Sequence, residues 1–275
     1  MDINAVRAID VHAHFGCYEM RSSYHRKFCS AGINEVKRRM TLSNTQLSIV
    51  SPLEAFMPQR GSPLKANAYA AKIVSKECSF LQWVVVDPRR PATFAQAERI
   101  LVDLRCAGIK IHPVLHRYSI SRYGRKIFEF AANHGAIVQS HSGEHGCLPR
   151  DFIQFANAFP GVRIIVSHLG CGYNGDITLQ VRAIQKAKHG NLFTDTSSAT
   201  SITPNLIEWA VKEIGPEKIL FGTDSPLYFS PMQRVRINNA DITDRAKLMI
   251  LRENALNLFG EKLKRLGILK KDNLL

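Results

Sequence analysis

Eight short β-branched or apolar runs, spaced at the step of a strand–helix unit, predict a (β/α)8 barrel in a single domain spanning residues 1–275. The runs are Arg7–His14, Gln46–Val50, Leu81–Val86, Gly108–His112, Ala136–His141, Val162–His168, Asn191–Asp195 and Lys218–Asp224. The later ones end at Ile111, His141, His168, Asp195 and Asp224, which are 27 to 30 residues apart. A strand, a helix and two short loops occupy about 30 residues. Eight such units need about 250 residues, and the chain has 275.

Helical spacing fills most of the intervals, as in Phe128, Phe130, Ala131 and Ala132, or in Val181, Ile184 and Ala187. Asp244–Phe259 reads as a closing helix, with apolar residues at 248, 251, 255, 258 and 259 and Gly260 where a C-terminal cap belongs. Cys17–Thr41 is rich in Arg, Ser and Lys without a clear period. It is expected to be a long loop over the mouth of the barrel.

Composition narrows the class further. Apolar residues make up 45% and charged residues 22%, which excludes disorder. No apolar stretch approaches the roughly 18–20 residues of a membrane span. Met1–Val11 carries Asp2, Arg7 and Asp10 and does not read as a secretory signal. Cysteines at 17, 29, 78, 106, 147 and 171 form no Cys-x-x-Cys pair, so reduced thiols in a cytoplasmic protein are expected. The net charge of +14 gathers at Arg21–Lys27, Lys37–Arg39 and Lys262–Lys271. A solvated basic face accounts for it, and nucleic-acid attraction or steering of an anionic substrate are the sharper readings.

The chemistry sits at the strand ends. In Ile9-Asp10-Val11-His12-Ala13-His14, alternate side chains share a face, so His12 and His14 point the same way with Asp10 beneath them. His141, His168 and Asp224 end the fifth, sixth and eighth runs, and those ends converge on one mouth. Five buried polar groups placed together are costly unless something pairs them, and a divalent metal does so. Nitrogen and carboxylate donors suit zinc, with manganese, iron or cobalt as substitutes; copper fits less well because no Cys or Met joins the cluster.

The motifs Asp10-Val11-His12-Ala13-His14, Gly108-Ile109-Lys110-Ile111-His112-Pro113, Ser140-His141-Ser142-Gly143, Ser167-His168-Leu169-Gly170, Gly222-Thr223-Asp224-Ser225-Pro226 and Glu253-Asn254-Ala255-Leu256-Asn257-Leu258-Phe259-Gly260 together resemble the amidohydrolase-related metal-dependent hydrolases of the amidohydrolase superfamily. The resemblance runs in order from about residue 8 to residue 260. It implies a distorted (β/α)8 barrel with a metal at its mouth, held by His12, His14, His141 and Asp224 in the single-metal branch. His168 would then activate water or polarise the substrate. Lys110 either binds a substrate carboxylate, the favoured role, or is carboxylated to bridge two metals, as in other members; one ion is favoured over two. His112 is structural or substrate-facing. Glu144, His145, His116 and Arg117 are weaker candidates, with surface placement favoured for His116 and Arg117, and Asp195 is a candidate partner for a ligand.

The expected activity is hydrolysis of an amide, lactone or ester in a small, anionic molecule. Asp224 takes a proton from water whose pKa the metal lowers towards ~7, and His168 steadies the developing oxyanion. The alternative is non-oxidative decarboxylation of a small carboxylic acid, because the branch related to aminocarboxymuconate-semialdehyde decarboxylase shares the ligand pattern. A TatD-like nuclease is third, since that pattern expects a strand-four carboxylate where this chain has Lys110 and His112. A small-molecule substrate is therefore the expected partner, with no membrane and no nucleic acid, and a homo-oligomer is compatible with the fold.

Overall fold

The computed structural model describes residues 2–19, 22–57 and 61–268. Arg21 and the end of the basic run Lys262–Lys271, from residue 269 on, lie outside them. Eight parallel strands follow one another in chain order: β1 (Ala8–Phe15), β2 (Thr45–Pro52), β3 (Phe80–Val85), β4 (Cys106–Ile111), β5 (Ile137–Ser140), β6 (Ile164–Val166), β7 (Leu192–Asp195) and β8 (Ile219–Leu220). The ring closes beyond the two residues of β8. Val11 N–H donates to Phe221 O (2.9 Å), Thr223 N–H to His12 O (3.2 Å) and His14 N–H to Ser225 O (2.6 Å). The fold is the predicted distorted (β/α)8 barrel.

The helices are α1 (Ser23–Cys29), α2 (Ile33–Leu42), α3 (Pro63–Val74), α4 (Pro91–Leu101), α5 (Ile120–Asn133), α6 (Ile153–Ala158), α7 (Leu179–Lys186), α8 (Leu206–Ile214), α9 (Ser230–Asn238), α10 (Asp244–Leu248) and α11 (Asn254–Arg265). Strand alternation sends one set of side chains to the helices. Val84, Ile109, Ile111 and Val138 pack in one cluster with Ile127, Phe128 and Ala131 of α5. The other set meets the last helix: Ile9, Val11, Leu47, Leu81, Trp83 and Ile165 cluster with Ala255, Phe259 and Leu263 of α11. Trp83 makes an edge contact to Phe259, with centroids 5.7 Å apart, and donates Nε1–H to Val11 O at 2.8 Å. No helix among the described residues is long and apolar enough to cross a membrane.

Three expectations are corrected. Cys17–Thr41 is not a bare loop, because it carries α1 and α2. Val36 and Met40, one turn apart, give α2 its buried face, and Glu35 pairs with Arg38 and Arg39 on the outer one. Gly260 does not cap the closing helix. Leu263, fully buried, extends the apolar stripe and α11 runs on to Arg265. His116 is buried rather than on the surface; its Nε2 bonds Ala55 O at 3.0 Å.

Candidate metal centre

His12 and His14 project from β1 into a cavity of about 290 Å³ at the barrel mouth, which also takes in Lys110, His112, His141, His168 and Asp224. Each β1 imidazole is oriented from behind. His12 Nδ1 lies 3.1 Å from Asp195 Oδ2 and 2.9 Å from Ser197 Oγ, and His14 Nδ1 lies 2.9 Å from Ser51 Oγ and 3.2 Å from Ser51 O. With Nδ1–H so engaged, both rings turn an Nε2 lone pair to the cavity. Asp224 Oδ1 meets them, 3.0 Å from His14 Nε2 and 3.4 Å from His12 Nε2.

These distances suit a bound ion. Donor atoms about 2.0–2.2 Å from a metal lie about 3–3.5 Å from one another at tetrahedral or octahedral angles. The donor atoms of His12, His14 and Asp224 all lie within 4.8 Å of one another. A second such group, His12 with His168 and Asp195, shares His12. The first is the better site because all three of its residues line the cavity, whereas Asp195 stands behind it.

His141 stands in the same ring of imidazoles with both nitrogens occupied. Nδ1 is 2.9 Å from His168 Nε2 and Nε2 is 3.0 Å from Glu144 Oε1, while His112 stacks on its face with centroids 4.1 Å apart. Ser197 Oγ fixes His168 at Nδ1, 2.8 Å away. Lys110 is buried, and its Nζ reaches His12 Nε2 at 2.8 Å and Gln139 Oε1 at 3.0 Å. Among the described residues it is the one Lys or Arg lining the cavity.

Burial sets the charges. It pushes the Lys110 ammonium down to about 8, with Asp195 and Asp224 pulling the other way. Burial, and then the Lys110 charge, bring His12 down to about 4. His168 is held well below the ordinary imidazole value by burial and by His141. Burial works to raise Asp224, but His12 and His14 hold its carboxyl well below the usual range. Asp10, beneath the two histidines, is raised by burial to about 7 although it accepts from His12 N–H (3.0 Å), Thr223 N–H (3.1 Å) and Thr223 Oγ (2.6 Å).

Sequence reasoning placed Asp195 near the mouth but did not show how much it carries. It takes hydrogen bonds from Gln139 Nε2 (3.2 Å), His168 N–H (3.1 Å) and Ser197 N–H (3.1 Å) besides its contact with His12. The signal was available: Gln139 precedes His141 by two and so shares its strand face, and Ser197 follows Asp195 by two. The apolar lining of the cavity had no sequence signal, because Leu53, Phe56 and Met57 come from one short turn after β2 and Leu115 and Leu227 from the connections after β4 and β8.

Residues 54–260 match the amidohydrolase family profile. The chain belongs to the amidohydrolase family. No curated protein matches it. Among solved structures, it is similar to 5-carboxyvanillate decarboxylase from Sphingomonas paucimobilis at 15% identity and TM-score 0.72, covering 93% of this chain and 99% of that one. It also resembles 2,6-dihydroxybenzoate decarboxylase from Rhizobium (16%, TM-score 0.70, 93% and 99%). A third is a dihydroxybenzoic acid decarboxylase from Polaromonas, solved with manganese and 2-nitroresorcinol (18%, TM-score 0.71, 98% and 99%). At these identities the likeness shows the barrel fold, and membership makes the chain an enzyme of the superfamily.

Proposed function

We propose that this chain is a metal-dependent non-oxidative decarboxylase of a small aromatic carboxylic acid. The reading is carried by the mixed lining of the cavity. His12, His14, Asp224 and Lys110 line it together with Leu53, Phe56, Met57, Leu115 and Leu227, and the Phe56 ring stands 5.6 Å from the His14 ring. An arylcarboxylate fits such a lining, with its anionic end at Lys110 and the metal ligands and its ring on Phe56. The aromatic-acid decarboxylases that share the fold support the same assignment.

His12 and His14 would hold the ion through Nε2 and Asp224 through Oδ1. His141 completes the proposed set by releasing Glu144. Manganese accompanies one of the similar enzymes, and a histidine–carboxylate set suits manganese and zinc alike. When bound, the ion supplies a positive charge that holds and polarises the acid's oxygens.

The chain's own residues do the rest. Lys110 pairs with the carboxylate, and Phe56 with its apolar neighbours keeps water from the ring. Decarboxylation breaks the bond between ring and carboxyl carbon, releases carbon dioxide and puts a proton on the ring carbon. His168 is placed to give that proton. Its pKa is pressed down by burial and His141 and lifted by Asp224 and Asp195, and a bound carboxylate joins the lifting side. Ser197 Oγ on Nδ1 and His141 Nδ1 on Nε2 hold the ring, and Nε2 serves the substrate once the acid displaces His141 from it.

Hydrolysis of an amide, lactone or ester is the second reading, favoured by the family match. It asks Asp224 to take a proton from water, and the two histidines that depress its pKa make it a weak acceptor. The deciding experiment supplies manganese- or zinc-loaded protein with hydroxybenzoates, N-acyl compounds and lactones while carbon dioxide is measured. Release of carbon dioxide with the protonated arene is expected. Turnover of the acyl compounds or lactones with no carbon dioxide from any acid would overturn the reading.

A further inference from the structure

The centre uses one cation of a chain whose net charge is +14. Part of the remainder gathers in a second, open cavity of about 500 Å³ beside the mouth, between the loops that follow β4 and β5. Arg89, Arg117 and Arg122 line it, together with His145, and no carboxylate side chain does. Arg89 is braced by Asp87, at 3.1 and 3.0 Å. Arg117 and Arg122 have no carboxylate partner among the described residues; Arg122 lies over the Tyr123 ring, 5.4 Å from its centroid.

Two further observations bear on the cavity. Helix α5 starts at it, and its first turn has neither an acidic residue nor a side-chain cap, although Ile120 N–H is taken by Gly146 O at 2.8 Å. Arg117 adopts φ 54, in the left-handed region, a conformation found at ligand-holding sites and costly for a non-glycine residue.

We propose that this cavity is a phosphate site, taking inorganic phosphate or the phosphate group of an organic ester. Guanidinium forks match phosphate oxygens two at a time, and those of Arg117 and Arg122, with the charge of the Asp87-braced Arg89 beside them, favour a dianion with several acceptors over a single carboxylate. Val114 lines both this cavity and the central one, so a phosphate here sits one residue's width from the acid's pocket. The site stands whether the central reaction is decarboxylation or hydrolysis.

The test titrates the full, metal-loaded chain with inorganic phosphate and with phenyl phosphate by calorimetry, at ionic strength held constant with chloride. Saturable one-to-one binding is expected. Arg117→Ala and Arg122→Ala should each weaken it roughly tenfold or more, as loss of a charged hydrogen bond does. Arg122→Lys, which keeps charge but not the fork, should fall between wild type and Arg122→Ala. Arg150→Ala and Arg182→Ala, in a different cavity, should leave it unchanged. All four positions are exposed, so the variants fold. Tighter binding of phenyl phosphate would assign the site to an ester, and equal binding to free phosphate. Phosphate binding that ignores Arg117 and Arg122 would belong to the metal, and that result, or no saturable binding, would overturn the proposal.

Discussion

Lys110→Met is expected to make the metal-free protein more stable and the enzyme worse. Lys110 is 1% exposed, and burial carries its pKa from 10.5 to about 8. Near neutral pH it is charged whether the chain is folded or not, so the fold bears the whole cost of burying that charge, about 3 kcal/mol. Methionine removes this cost at nearly the same length. It also leaves Gln139 Oε1 and His12 Nε2 without their Nζ partner, a loss of about 1 kcal/mol each. The balance is a gain of about 1 kcal/mol at pH 7, or about 2–4 °C in Tm for a chain of this size.

The pH dependence separates this cause from simple repacking. Between about 8 and 10.5 the unfolded chain binds more protons at this position than the folded one. Lysine's contribution therefore rises with pH across that window and is lost as pH falls through it. The variant should lack that slope. Urea unfolding of chelated protein at pH 7, 9 and 10.5 measures both effects. Turnover assays of the metal-loaded variant should show KM for the acid raised about 10–100-fold, because the cavity's one cation is gone. Equal or lower stability at pH 7 with an unchanged slope would refute the account of Lys110 as a charge held in place for the substrate.

Three further outcomes are expected. Chelation should abolish turnover and added divalent metal restore it, followed by carbon dioxide release; full activity in metal-free protein would remove the metal from the mechanism. Asp224→Asn should keep the fold, because asparagine tolerates the φ of 53° found there, yet lose most of the turnover; circular dichroism and rate measurements check the two halves separately. Phe56, whose ring packs against His14, His112 and His116 at centroid distances of 5.6, 5.5 and 6.0 Å, is the cavity's aromatic wall; Phe56→Leu should raise KM for an aromatic acid more than it lowers kcat, as steady-state kinetics would show.

The barrel was legible because each strand is a short apolar run, six of the eight ending in a His or Asp, and the period survives in a single sequence. The eighth run shows the limit. Lys218–Asp224 reads as one strand, but the regular ladder holds only Ile219–Leu220. Phe221 and Thr223 bond instead across to β1, which closes the ring and frees Asp224 to turn. Helices α1 and α2 were hidden for another reason. Charged side chains dominate α2, its buried stripe is two residues, and α1 buries none. Candidate ligands could be read from strand parity, since His12, His14, Lys110 and His112 all reach one cavity. The occupation of both His141 nitrogens could not, because Glu144 and His168 reach it through loop geometry that no period encodes.

Backbone strain ties the site to the fold in a way composition cannot show. His168 and Asp224 adopt φ of 74° and 53°, in the left-handed region, at about 1–3 kcal/mol each. Each is held by a hydrogen bond from its own N–H, His168 to Asp195 Oδ1 (3.1 Å) and Asp224 to His12 O (2.7 Å). Asp195 thus fixes the His168 backbone with one oxygen and the His12 ring with the other. Its replacement by alanine is therefore expected to act twice. It frees a strained turn, lowering stability, and it unlocks the tautomer of His12, lowering metal affinity about 10–100-fold. Asp195→Asn keeps a hydrogen-bonding group at the turn and so should recover most of the stability while metal affinity, measured by competition with a chelator, stays low. Equal recovery of both would mean that Asp195 supports the turn alone.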